Sequence, residues 1–297
     1  MFSKKEAIKM NNLRTITDVL TPPAPHMVGD GFRVHNFFPS GYRINMSPFF
    51  MMDYNSKIDF SAREVARGVG VHPHRGFETV TIAYHGAVAH YDSAGNSGVI
   101  YPGDVQWMTA ASGILHKEHH EENFSRQGGA FQMVQLWVNL PAKDKMSTPK
   151  YQALTQAEMG KWEVPNNGGV IEVIAGNYKG TVGKVSTFSE IETYNARLNE
   201  GAEVNFSFPN SHNTGLLVIE GSVQINDKPI KLDEFVYFEP NAGEIKLNAL
   251  SNAVVLVISG EPINEPIAQY GPFLMNTQDQ IREAIEDYNN GKFGYLE

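Results

Sequence analysis

The chain contains no cysteine, which removes disulfides, thiolate nucleophiles and sulfur-ligated metals and leaves only nitrogen and oxygen donors for any metal it binds. Basic runs are missing as well: nothing exceeds Lys4-Lys5, and 24 Lys and Arg stand against 33 Asp and Glu, a formal net charge of −9. A surface of that sign offers phosphate backbones little to hold, so direct nucleic-acid binding is not expected. Long apolar runs are also absent. The strongest, Ala253-Val254-Val255-Leu256-Val257-Ile258, fits a buried strand and falls far short of the roughly 18 residues a spanning helix needs. The N-terminal Met1-Phe2-Ser3-Lys4-Lys5-Glu6-Ala7 has positive charge but no apolar stretch of signal-peptide length behind it. The expectation is a soluble, cytoplasmic protein with no membrane contact, whose 297 residues suffice for two domains.

What is present is strand texture. Residues 1 to about 25 are polar and weakly helical or irregular, ending in Thr21-Pro22-Pro23-Ala24-Pro25, which cannot be helix; they read as an arm, 1–26. From Phe32 onward come short runs rich in β-branched and aromatic residues, such as Val80-Thr81-Ile82-Ala83-Tyr84, Val105-Gln106-Trp107-Met108 and Gln132 to Val138, with turn signals between them. That spacing predicts an antiparallel sandwich or barrel over 27–141. Mixed charges, Pro149, Pro165 and a helix-prone piece around Gln152 to Met159 suit a linker or crossover over 142–168. Strand texture returns in 169–297 and repeats the first half. Leu216-Leu217-Val218-Ile219-Glu220-Gly221-Ser222-Val223 resembles Val80 to Val88, and Leu232 to Pro240 echoes Pro102 to Met108, so the chain holds two copies of one β unit. It closes with a helix: Thr277 and Gln280 have capping-box spacing, Ile281, Ile285 and Tyr288 fall on one stripe, and Gly291 is the stop.

The first copy carries the chemistry. In Val71-His72-Pro73-His74-Arg75-Gly76-Phe77-Glu78, and again in Gly113-Ile114-Leu115-His116-Lys117-Glu118, two potential ligands stand one residue apart. Alternate residues of a strand share a face, so His72 pairs with His74 and His116 with Glu118. If both faces point into one barrel, three imidazoles and a carboxylate converge. Burying them is costly unless a divalent cation compensates. The bland alternative, solvated polar positions near strand ends, would account for one His-x-His but is weaker for two dyads. The second copy offers only His212, read as a loop residue, and Gly243-Glu244-Ile245-Lys246-Leu247 where the first has His116 and Glu118; it is expected to be metal-free.

His72-Pro73-His74-Arg75-Gly76-Phe77-Glu78-Thr79-Val80, Pro102 to Ala110, Gly113-Ile114-Leu115-His116, Leu136-Trp137-Val138-Asn139-Leu140-Pro141 and Gly260 to Phe273 together resemble the pirin family of the cupin superfamily, over about Met27 to Gly294. The resemblance implies an all-β bicupin, two antiparallel β-barrel domains with a short C-terminal helix. It also implies iron in the N-terminal barrel, on His72, His74, His116 and Glu118. Lys117, between the last two, points to the opposite face and leaves that set intact. His119 and His120 are read as loop residues, although His120 has the ligand parity should the strand continue. Glu78 has the parity of His72 and His74 and is expected outside the ligand set, orienting a ligand by a hydrogen bond.

Three imidazoles and a carboxylate leave about two open positions on a six-coordinate ion, which suits non-haem Fe(II), with Mn, Ni or Cu as other occupants; Zn can bind but does no redox work. The resemblance extends to quercetin 2,3-dioxygenases (quercetinase activity), so it implies O₂-dependent opening of a flavonol-like enol with loss of carbon monoxide. Glu118 would be both ligand and catalytic base. The other reading it implies is an iron-dependent redox-sensing regulator whose partner is a transcription factor or metabolic enzyme. Phe77, Trp107 and Met108 are read as barrel core ahead of an apolar slot for a flat ligand. Two barrels in one chain mimic a cupin dimer, so a monomer is expected.

Overall fold

The computed structural model describes residues 13–38 and 44–297, and its chain divides into two compact units. The first comprises Pro23–Glu158 and Ile263–Glu297; the second comprises Met1–Pro22 and Met159–Pro262. Each is built on an antiparallel pair of sheets, one of seven strands and one of four, with a further two-stranded sheet.

In the first unit the larger sheet runs, in spatial order, Lys150–Leu154, Val105–Thr109, Phe77–His85, Gly129–Asn139, Phe49–Phe60, Phe32–Asn36 and His26–Val28. The smaller runs Gly68–His74, Ile114–His120, Val88–Asp92 and Ser97–Ile100. Phe32, Val34, Ala83, Phe131 and Met133 from the larger sheet form one core with Val88 and Ile100 from the smaller, so the two sheets pack face to face. The second unit repeats this order strand for strand. Its larger sheet is Ile16–Leu20, Phe235–Phe238, Asn213–Glu220, Ala253–Gly260, Ile191–Leu198, Gly169–Ala175 and Gly160–Val164; its smaller is Glu203–Ser207, Glu244–Ala249, Val223–Ile225 and Lys228–Ile230. The repeated runs in the sequence therefore occupy equivalent strands, and the architecture is the two-barrel, all-β one with a short terminal helix.

Where the units divide differs from the boundaries 1–26, 27–141, 142–168 and 169–297. Residues 1–12 of the arm lie outside the described residues, but Ile16–Leu20 is a strand that pairs with Phe235–Phe238 in the second unit. The stretch read as a linker carries one short 3-10 turn, Ala142–Asp144, and two strands, with no helix at Gln152 to Met159: Lys150–Leu154 pairs with Val105–Thr109 and Gly160–Val164 with Gly169–Ala175. Each covers an edge whose backbone groups would otherwise lack partners. Both are short and weakly patterned, so local composition does not announce them.

The terminal helix, Gln278–Asn289, begins at Thr277 with a complete capping box to Gln280, as the spacing predicts. Its buried stripe is Ile281, Ala284 and Asp287, while Tyr288 is exposed. It belongs to the first unit because Asp287 meets the buried guanidinium of Arg75 at 2.8 Å, and the Phe293 ring lies 4.7 Å from the same group. Arg75 sits in the turn just after His74, so this contact ties the end of the chain to the histidine-bearing strand.

Candidate metal centre

Two neighbouring strands of the smaller sheet, Gly68–His74 and Ile114–His120, place the histidines. Ile114 opposes His74 and His116 opposes His72, after which Glu118 opposes Val69. One extra residue in the Gly70-Val71 segment makes this bulge, and it keeps both Val69 and His72 on the barrel interior despite their opposite parity. Along Ile114–His120 the even positions are buried and the odd ones half-buried, a clean two-residue period. At the far end of the first strand the chain turns through Gly76 at φ 89°, where a Cβ would lie 2.0 Å from the Leu274 carbonyl.

These strands bring His72, His74 and His116 into one group whose ligand atoms lie within 4.8 Å of one another. A second such group is His90, His116 and Glu118, with His116 common to both. Ring centroids are 4.2 Å apart for His72 and His116, 4.7 Å for His74 and His116, and 5.4 Å for His90 and His116.

The donor set fits a cation on its own evidence. Both ring nitrogens of His116 and Nδ1 of His74 and His90 are buried with no hydrogen-bond partner among the described residues. Orphaned buried donors and acceptors are costly, and an ion within reach of their lone pairs removes the cost. Burial holds His74 and His116 well below the ordinary histidine range, with neighbouring imidazoles adding to the effect, so both present neutral lone pairs. His72 Nδ1 lies 2.8 Å from the Gly70 carbonyl; donation there fixes the tautomer and leaves Nε2 free for a metal. Glu118 is buried, with Oε1 accepting from Thr81 Oγ1 at 3.3 Å and Oε2 from Gln135 Nε2 at 2.8 Å. A cavity of about 30 Å³ lies against His72 and Glu118, lined also by Val28, Phe32, Val34, Asp53, Val69, Met133 and Gln135. Val28, Val69, His72 and Gln135 are only half-buried, so the cavity opens to solvent on that side.

A family model for pirin matches residues 31–138, and one for the pirin C-terminal cupin domain matches 193–294. This chain belongs to the pirin family of the cupin superfamily. A Pseudomonas aeruginosa protein whose name gives quercetin 2,3-dioxygenase as a provisional activity is 44% identical over 269 residues, covering 90% of this chain and 94% of that one. The crystal structure of a quercetin 2,3-dioxygenase from Acinetobacter baumannii is 43% identical, with a TM-score of 0.89, covering 96% of this chain and all of that one. A bacterial pirin from Escherichia coli, solved in complex with nickel(II), shares the fold at 19% identity and a TM-score of 0.63, covering 83% of this chain and 100% of that one.

The two pirin barrels can be matched residue by residue, because the turns at Gly86 and Gly221 share φ 74° and lead into Val88 and Val223. These oppose His120 and Ala249 on the next strand. It follows that Glu118 corresponds to Leu247, His116 to Ile245, His90 to Ile225 and His72 to Phe206. All four counterparts lie in the apolar core of the second barrel. The same strands thus carry donors in one unit and hydrocarbon in the other. His212 precedes a strand, as a loop residue should, but it is buried there, with Nδ1 3.3 Å from Ser259 Oγ.

Several expected placements change. His119 and His120 are strand residues, not loop, because the Ile114–His120 strand pairs with Val88–Asp92 through His120. His120 reaches the Gly31 carbonyl at 2.8 Å and packs among Phe32, Phe60, Phe124 and Phe131, outside both ligand groups. Glu78 is on the opposite face of its strand from Thr81, since the turn at Gly76 breaks the parity carried from His74. It accepts from Thr109 Oγ1 at 2.7 Å, and burial pushes it up to about 7. Of the aromatic candidates, Phe77 packs on His74 and Trp137, Met108 joins Ala110 and Ile114, and Trp107 is fully buried; none lines the cavity.

His90 was not singled out by the sequence. It stands opposite Glu118 on Val88–Asp92, with Nε2 3.4 Å from Asp92 Oδ2 and its ring stacked on Tyr151 at 5.1 Å. A lone histidine in a five-residue strand has no motif; only pairing across the sheet finds it.

Proposed function

We propose that this pirin is a metal-dependent dioxygenase of the quercetin 2,3-dioxygenase type, with His72, His74, His116 and Glu118 as the ligands of an Fe(II) ion. The observation that carries the reading is the set of buried, unpartnered imidazole nitrogens gathered around His116 beside the held carboxylate of Glu118. Support for the substrate class comes from the similar proteins whose names give that activity. Bound there, a redox-active cation would supply Lewis-acid polarisation of a flavonol's hydroxyl and carbonyl and a path for electrons from the deprotonated flavonol to O₂. The chain's own part is to orient and to move a proton. Glu118 takes the proton of the flavonol 3-hydroxyl, while Thr81 and Gln135 hold its two oxygens so that the carboxylate returns to one geometry. In the net reaction both atoms of O₂ would be added to the flavonol, whose heterocycle opens with release of carbon monoxide.

The test is turnover of quercetin under O₂ by protein reconstituted with Fe(II), compared with Glu118→Gln. Metal-dependent turnover that the variant loses supports the enzyme. A second reading is an iron-dependent redox sensor that binds a transcription factor or metabolic enzyme; the cavity beside His72 and Glu118, about 30 Å³, is small for a flavonol, which is the observation on its side. Absence of quercetin turnover, with a partner bound only in one oxidation state, selects the sensor. A cytoplasmic location and a monomeric state are part of both readings, and sedimentation of the purified chain checks the latter.

A further inference from the structure

The inner face of the larger sheet in the first barrel carries a row of polar residues on the side of the two clusters of candidate ligands. Asp53 opposes Gln135, Gln135 opposes Thr81, and Thr81 opposes Gln106 on successive strands. Directly opposed residues share a face. The equivalent row in the second barrel is Tyr194, Val257, Leu216 and Val236, all in its apolar core. Three of the four polar positions have a visible occupation: Gln135 and Thr81 hold Glu118, and Gln106 receives the Tyr151 hydroxyl at 3.3 Å.

Asp53 does not. Its side chain lines the same cavity as His72 and Glu118, it is 7% exposed, and its Oδ1 has no partner among the described residues. Asn36 donates to the carboxylate, and burial still pushes the group up to about 6. A buried carboxylate with an open acceptor is expensive to keep. The sister row shows that this fold accepts an aromatic residue at that position.

We infer that Asp53 is a substrate-binding residue whose free oxygen accepts a hydrogen bond from a second hydroxyl of the ligand, so that the site selects polyhydroxylated flavonols over those carrying only the metal-binding hydroxyl. The inference rests on the flavonol reading above.

Binding is measured by the absorbance shift of the ligand, without O₂, on Fe(II)-loaded protein, for quercetin and for 3-hydroxyflavone, whose sole hydroxyl is the one beside the carbonyl. Loss of a hydrogen bond to a charged group is worth about tenfold or more in affinity. In Asp53→Ala, which removes the acceptor, quercetin affinity is expected to fall about tenfold relative to that of 3-hydroxyflavone, with iron content by elemental analysis at the wild-type level. Asp53→Ser should give the same ratio. An equal loss for both ligands, or none, overturns the role of Asp53 and leaves the flavonol reading standing. Failure of the wild type to bind either ligand overturns the flavonol reading and this inference with it.

Discussion

Gln135 is the most direct lever on the site that does not touch a ligand histidine. Its amide donates to Glu118 Oε2 at 2.8 Å, whereas the Thr81 hydroxyl reaches Oε1 at 3.3 Å, beyond good O–H···O geometry. Replacing Gln135 by Leu removes the shorter of the two and leaves a buried carboxylate oxygen open. A hydrogen bond to a charged acceptor contributes about 1.5–3 kcal/mol, and loss of groups that orient metal ligands typically costs about 10–100-fold in affinity or activity. We expect Gln135→Leu to weaken Fe(II) binding by at least about tenfold and Thr81→Val by clearly less, in line with the two distances. The fold should tolerate the change, because Val257 occupies the matching position in the second barrel's core. The assay is competitive metal titration against a chromogenic chelator at fixed pH, with a thermal melt of each apo variant. Equal metal affinity in wild type and Gln135→Leu, or a larger effect from Thr81→Val, would refute the claim that this amide positions Glu118.

Asp53 and Gly68 give two further expectations. The folded state raises Asp53 from 3.8 to about 6, so between those values it binds a proton that the unfolded chain has released, and the penalty for the buried carboxylate grows as pH rises through the window. Asp53→Asn should therefore match wild type near pH 4 and exceed it by about 1–3 kcal/mol at pH 7, at about 1.4 kcal/mol per unit; urea titrations of both at the two pH values decide it, and a variant less stable at pH 7 contradicts the argument. At Gly68 a Cβ would lie 2.3 Å from the Glu118 carbonyl oxygen and 2.6 Å from His119 Cα, both backbone atoms. Gly68→Ala must push the two ligand-bearing strands apart, so its metal content by elemental analysis should fall well below wild type, and full occupancy would show that the strand pairing is not what positions Glu118.

Much of this was readable from strand periodicity alone. His116 and Glu118 share a face because the Ile114–His120 strand is regular over its whole length, and regular strands obey parity. Parity failed where the backbone is not regular. The turn at Gly76 breaks it between His74 and Glu78, and the bulge at Gly70-Val71 puts Val69 beside His72. His90 and Asp53 escaped for a different reason: each is alone in its segment, and only cross-strand register brings one to Glu118 and the other to Gln135. The edge strands Ile16–Leu20 and Lys150–Leu154 are set by an open sheet edge far along the chain, which no local pattern encodes.

The internal duplication turns these observations into an argument about cost. Two barrels with the same strand order and matching registers fill their interiors in opposite ways, one with Phe206, Ile225, Ile245 and Leu247, the other with His72, His90, His116 and Glu118 at the same positions. The apolar solution is the cheaper one, since burying hydrocarbon stabilises by roughly 25 cal/mol per Å² while each buried polar group without a partner costs about 1–3 kcal/mol. Nothing in the backbone demands the expensive solution. The donors, and the polar row of Asp53, Gln135, Thr81 and Gln106 facing them, therefore oppose the stability of the first barrel in the absence of an ion. On the function and the ligand contact proposed above, a cation at the unpartnered imidazole nitrogens and a hydroxylated ligand at Asp53 would relieve that opposition.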